Sequence, residues 1–105
     1  MDLTINKSDN GKEIVLVLEG QLNTATAPEL AKTVDDVKDI FDSMVLDCEK
    51  LDYLSSAGLR VVLTTDEAMR DKGGLTLKNV GNFVYEILDD VGFTDFLKIE
   101  RVAEK

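Results

Sequence analysis

A chain of 105 residues, 44% of them hydrophobic, has the length of one ordinary domain with one core, and no second domain is expected. Its formal net charge of −9 is repelled by nucleic-acid phosphates and anionic membrane surfaces, and the absence of histidine excludes phosphohistidine carriers, histidine-based triads and imidazole zinc sites. The lone Cys48 allows neither an internal disulfide nor a CxxC pair. No apolar run approaches the ~20 residues that span a bilayer, and Met1 to Lys7 lacks a signal pattern, so a soluble protein of a reducing cytoplasm is expected, without membrane insertion.

Leu3 and Ile5 alternate with polar neighbours, and Asp9, Asn10 and Gly11 supply turn chemistry before the apolar run Ile14 to Leu18. This predicts a hairpin whose second strand is buried on both faces. After Gly20, the residues Leu30, Val34, Val37 and Phe41 recur at helical spacing. Thr26 followed by Glu29 has capping-box spacing, and Pro28 sits in the first turn, where its missing N–H costs nothing.

Met44 to Cys48 reads as the next strand, and Leu75 to Val80 as another after the Gly73, Gly74 break. Between them, Ser55 and Ser56 are strong N-caps, and Arg70 and Lys72 suit a helix C-terminus, so 55–72 is predicted helical. Asn82 as cap, the stripe Val84, Ile87, Leu88, Val91 and the stop at Gly92 predict a third helix. Phe93, Phe96, Leu97 and Ile99 then close the core, with a last strand near Leu97 to Ile99. Strands alternating with helices imply an α/β domain: a mixed sheet of four to five strands, parallel where right-handed crossovers join them and antiparallel at the opening hairpin.

Chemistry concentrates in Leu51 to Leu63. Two hydroxyls and two small residues at a strand-to-helix junction put side-chain oxygens beside unpaired backbone N–H groups, where negative charge is tolerated. On spacing alone, Ser55 or Ser56 reads first as a simple helix cap, and spacing does not decide the matter. The segment Tyr53 to Leu63, together with Gly20, Leu22 and Asn23 before the first helix and Gly92 before the C-terminal aromatics, resembles a STAS domain of the bacterial anti-sigma factor antagonist type over essentially the whole chain. In that family, a motif of acidic residue, Ser, Ser or Thr or Ala, Gly and Leu follows the third strand. Its serine is phosphorylated by a partner that is both kinase and anti-sigma factor.

Aligned on Gly58 and Leu59, the resemblance implies that Ser56 is the phosphoacceptor, with Asn23, Thr24, Ser55, Ala57 and Gly58 around it and Gln21, Asn23, Leu54, Ser56, Leu59 and Arg60 touching the partner. Ser55 stands where many relatives carry aspartate, and so does Asn23; both keep hydrogen-bonding capacity and remove a carboxylate. The implied protein is a substrate and binding partner, not an enzyme, and holds no cofactor or metal. It captures an anti-sigma factor with serine kinase activity when unphosphorylated, lets it go when phosphorylated, and is reset by a phosphoserine phosphatase.

Two alternatives stand beside this. The domain would be a non-switching scaffold subunit of a transporter or signalling complex if Ser56 is only a cap. A small enzyme using Ser55 or Ser56 as nucleophile would have no histidine base here and would need Lys50 or Lys72 instead. Asp35, Asp36, Asp47, Glu49 and Asp52 read as solvated carboxylates, and a phosphoaspartate receiver would need an acidic pair where the first strand ends in Asn6 and Lys7. Cys48 reads as a small core residue. Gly73 and Gly74 follow a helix and precede a strand, the reverse of the phosphate-loop order.

Overall fold

The computed structural model describes residues 2–102. In chain order these form β1 (Leu3–Asp9), β2 (Glu13–Leu22), α1 (Ala27–Val37), β3 (Ser43–Leu54), α2 (Ser56–Met69), β4 (Gly74–Val80), α3 (Asn82–Asp90), a 3-10 turn (Phe93–Asp95) and β5 (Lys98–Arg101). The opening turn is built by short side chains. Gly11 N donates to Asp9 Oδ1 at 2.9 Å, and Lys12 N and Glu13 N donate to Asn10 Oδ1 at 3.0 and 2.8 Å.

The strands lie side by side in sequence order, β1 antiparallel to β2 and every later neighbour parallel. Parallel strands stepping in one direction through right-handed crossovers place α1, α2 and α3 on one face of the sheet. On that face Ile14, Leu16 and Leu18 of β2, Met44, Leu46 and Cys48 of β3, and Leu75 and Leu77 of β4 meet Leu30, Val34, Val62, Met69, Val84 and Leu88 from the helices. Each large side chain enclosed there contributes about 1.5–3 kcal/mol.

Among the described residues the opposite face carries no helix, which corrects the expectation for β2. Val15 and Val17 are only half-buried, shielded by neighbouring side chains, so the strand is fully covered on one face alone. An unbroken apolar run thus marks a central strand here, not a doubly covered one. Where β2 passes the start of β1 its register with β3 shifts between Val17 and Glu19 and again between Gly20 and Gln21. Gly20 has φ +114, and a Cβ there would lie 2.2 Å from the carbonyl oxygen of Asp2, so only glycine fits.

Several boundaries differ from the sequence reading. β3 runs on to Leu54, well past Cys48, because its later residues keep pairing with Glu19 to Leu22 of β2. Phe41 lies beyond the end of α1 but still packs on the core. Gly81, not Asn82, is the N-cap of α3, and the Asn82 side chain accepts from Arg101 instead. Phe96 and Val91, expected inside, are about half exposed. Among the described residues, no helix is long and apolar enough to cross a membrane.

Candidate functional site

At the C-terminal ends of β2 and β3 the chain twice turns from strand into helix. The strands are in register there, Leu22 opposite Leu54, and Ser55 N donates to Leu22 O at 2.9 Å, tying the two turns together. Ligands of open parallel sheets gather at this edge, where helix N-termini leave backbone N–H groups unpaired.

In the first turn Asn23 does the capping. Its Oδ1 accepts from Ala25 N at 2.9 Å and Thr26 N at 3.1 Å, and its carbonyl accepts from Ala27 N at 2.8 Å. The expected capping box of Thr26 and Glu29 is not made. Thr26, 4% exposed, is turned inward: its Oγ1 donates to Gln21 O at 2.8 Å and accepts from Asn23 N at 2.8 Å. Helical backbone already begins at Thr26, so the unpaired N–H groups lie earlier, within reach of Asn23.

In the second turn Ser55 is the N-cap. It is extended, and its Oγ accepts from Gly58 N at 3.2 Å while its carbonyl accepts from Leu59 N at 2.8 Å. Ser56 is the first helical residue, and it is exposed. The pair therefore divides its work: one hydroxyl is engaged with the backbone, the next faces solvent. Gly58 is where α2 rests on the end of β2. A Cβ there would lie 2.8 Å from Leu22 Cγ, 2.9 Å from Leu22 O and 3.0 Å from Leu54 Cδ1. That contact fixes the height of Ser56 above the sheet.

Around Ser56 the surface is apolar. Tyr53, Leu54, Ser55, Ser56, Leu59 and Phe83 are among the lining of an open groove of about 320 Å³ between α2 and α3, which continues past Ile87, Asp90 and Val91. Tyr53 is 40% exposed, Phe83 59% and Val91 51%, and the Tyr53 and Phe83 rings approach to 6.5 Å between centroids. A second groove of about 400 Å³ adjoins it, with Ser56, Leu59, Arg60, Leu63, Val91 and Phe93 along its walls. Clustered exposed aromatics of this kind mark contact surfaces.

The remaining expected site residues distribute as follows. Thr24 and Arg60 are exposed, and Gln21, Asn23, Ser55 and Ala57 half-buried. Gly58 is buried under the turn, and Leu54 and Leu59, 3% and 8% exposed, form the floor of the groove more than its rim. Phe83, Ile87 and Val91 are the functional candidates that sequence reasoning missed or assigned to the core. Their signal was present: Phe83, Val84, Ile87, Leu88 and Val91 make an apolar face wider than one helix can bury against one sheet.

The acidic residues weighed as a pocket do not converge. Asp47 accepts from Asn79 Nδ2 and from Glu49 N, both at 3.1 Å, and among the described residues no cluster of acidic or sulfur side chains is arranged for a metal ion. Cys48 is enclosed; burial first, and the neighbouring Asp47 charge second, push its thiol from 9.0 up to about 12. Such a thiol is not a nucleophile at neutral pH.

A family model for the STAS domain matches residues 3–105. The chain belongs to the STAS domain family. It is 35% identical to BtrV of Bordetella bronchiseptica, which carries the name of an anti-sigma factor antagonist, over 99% of this chain and 90% of that one. In fold this STAS domain is similar to an anti-sigma factor antagonist from Mycobacterium paratuberculosis, with a TM-score of 0.85 at 21% identity, covering 93% of this chain and 85% of the other. It is also similar to the Bacillus cell fate determinant SpoIIAA in its phosphorylated form, with a TM-score of 0.72 at 14% identity, covering 91% and 90% of the two chains.

Proposed function

We propose that this STAS domain is an anti-sigma factor antagonist. Its unmodified form binds an anti-sigma factor that is also a serine kinase, which frees a sigma factor. Phosphorylation of Ser56 abolishes that binding, and a phosphoserine phosphatase restores it. The protein is substrate and ligand here, not catalyst; ATP and magnesium belong to the kinase, and the exchange takes place in a reducing cytoplasm. Family membership and the name of the 35% identical relative support the partner class.

One observation carries the choice of residue. Ser56 is the exposed hydroxyl at the meeting of two apolar grooves, whereas the Ser55 hydroxyl is occupied by Gly58 N. A kinase needs a free hydroxyl on a surface it can also grip, and exposed Tyr53, Phe83 and Val91 offer that grip. The energetics are sufficient without any change of shape. A phosphate adds about −1.5 to −2 charges to a surface that held a neutral hydroxyl. A hundredfold loss of affinity takes about 2.8 kcal/mol, and desolvating an unpaired charge at a closed interface costs several.

Incubation with a candidate anti-sigma kinase and ATP, followed by intact-mass and peptide mapping, tests the reading. A single phosphoryl adduct on the peptide holding Ser56 is expected, lost in Ser56→Ala. Calorimetric titration should show Ser56→Ala binding the kinase as wild type does and Ser56→Asp binding at least tenfold more weakly. Phe83→Ala should weaken binding with its melting temperature unchanged. An adduct that survives Ser56→Ala, or a phosphorylated chain that binds as tightly as the unmodified one, overturns it.

A further inference from the structure

Arg60 stands out among the helical cations. Every ion pair among the described residues lies within or at the end of a helix at i,i+3 or i,i+4: Lys32 with Asp36 at 3.1 Å, Lys38 with Asp35 at 3.2 Å and Arg70 with Asp66 at 2.8 Å. Among the described residues Arg60 makes none, nor any side-chain hydrogen bond, in a chain with 21 carboxylates. The residues three and four positions away along α2 are Ser56, Ala57, Leu63 and Thr64, none acidic. The Thr64 hydroxyl is already donating to Val61 O at 3.1 Å. Ser56 is left, one turn before Arg60, exposed like it and on the wall of the same groove.

Residues four apart on a helix face one another, and a guanidinium fits two oxygens of a phosphate at once. Arg60 also sits near a helix start, where cations are disfavoured, and the first turn of α2 holds no acidic residue. From this geometry we infer that Arg60 is the intramolecular partner of phosphorylated Ser56: the phosphate, once added, is held by Arg60 of the same chain. The inference rests on the preceding reading for its occasion but concerns this chain alone. Its consequence is that modification acts twice on the docking surface, adding negative charge and withdrawing the cation that a partner carboxylate would otherwise meet.

Phosphoserine installed at position 56 during translation makes the test independent of any kinase. The second ionisation of that phosphate, followed by 31P NMR against pH, is the readout. A bound cation favours the dianion and lowers the titration midpoint. The other titratable groups lining that groove are Asp90, whose negative charge raises the midpoint, and Tyr53. Against Arg60→Gln, the wild-type midpoint should be lower by about 0.15 to 0.4 pH unit, with Arg60→Lys between them. The gap should narrow in about 1 M sodium chloride, where the screening length falls to ~3 Å. Asp90→Asn should lower the midpoint further.

Equal midpoints in wild type and Arg60→Gln overturn the pairing, and so does a gap that persists unchanged in high salt. Arg60 is exposed, so both variants should fold, and circular dichroism melts verify it. A shifted midpoint in a chain that no kinase modifies would refute the proposed function and leave the pairing intact. Equal midpoints in a chain that is modified and released would do the reverse.

Discussion

The position of Ser56 depends on how closely α2 rests on the end of β2, and Gly58→Ala probes that contact directly. The added methyl meets Leu22 Cγ at 2.8 Å, Leu22 O at 2.9 Å and Leu54 Cδ1 at 3.0 Å. Two of the three atoms belong to buried leucine side chains with little room to turn, and the third is backbone whose neighbour Ser55 is bonded to that same carbonyl. Overpacking of this kind costs about 1–3 kcal/mol. Alanine recovers part of it through helix propensity, up to about 1 kcal/mol in a helix interior and less in a first turn. The net expectation is a loss of about 1–2 kcal/mol, or a melting temperature lower by roughly 4–16 °C at ~4–8 °C per kcal/mol for a domain near this size. Thermal melts by circular dichroism read it, with Ser56→Ala as an exposed control on the same turn, expected to shift by no more than ~0.5 kcal/mol. If Gly58→Ala were as stable as wild type, α2 would not be seated on Leu22, and that seat would not be what presents Ser56.

Two further outcomes concern the same turns, and a third the buried thiol. Thr26→Val leaves Gln21 O and Asn23 N without their 2.8 Å partner in a part-buried site and should cost about 1–3 kcal/mol by urea titration. Ser55→Ala should lose about 1 kcal/mol with its cap, whereas Ser55→Asp, which keeps an acceptor and adds negative charge at a helix start, should be as stable as wild type or more so by the same titration. Because the Cys48 thiol is raised to about 12 in the fold from 9.0, its contribution to stability is whole below pH 9 and is lost as pH climbs from 9 towards 12. The difference in stability between wild type and Cys48→Ala should therefore change by up to about 1.4 kcal/mol per pH unit in that window, and a thiol reagent at neutral pH should react only as the chain unfolds.

What the sequence made legible was whatever depends on local pattern. Helical spacing in Leu30, Val34 and Val37, the Asp9-Asn10-Gly11 turn and the Ser-Ser junction each carry their own period or chemistry, and each element formed where that chemistry put it. What escaped it depends on what lies across a gap. Val15 and Val17 look like Leu16 in the sequence and differ only because no helix covers their side of the sheet. Phe83 and Val91 look like Val84 and Leu88, and only the position of α2 leaves the first two outside. Thr26 carries the residue type of a cap, yet the backbone is already helical at Thr26 itself and the capping bonds fall to Asn23.

The last of these explains how the chain keeps its site while departing from the family's acidic pattern. Asn23 and Ser55 occupy equivalent positions at the ends of adjacent strands, and in each the side-chain oxygen accepts from backbone N–H groups of the turn that follows. An aspartate would make the same bonds, so its replacement by a neutral acceptor preserves both turns and alters only charge. With those carboxylates gone, the formal charges bordering Ser56 in its grooves are Arg60 on its own helix and Asp90 on α3. They oppose each other, and the unmodified rim is close to neutral within a chain of net −9. A phosphate arriving there changes the local charge by more than the sum of what is present. On the proposed reading, a phosphate on Ser56 adds the same ~−1.5 to −2 charges that it would beside two aspartates, but here it sets the sign of the rim, and Arg60 is the cation of the same helix that would meet it.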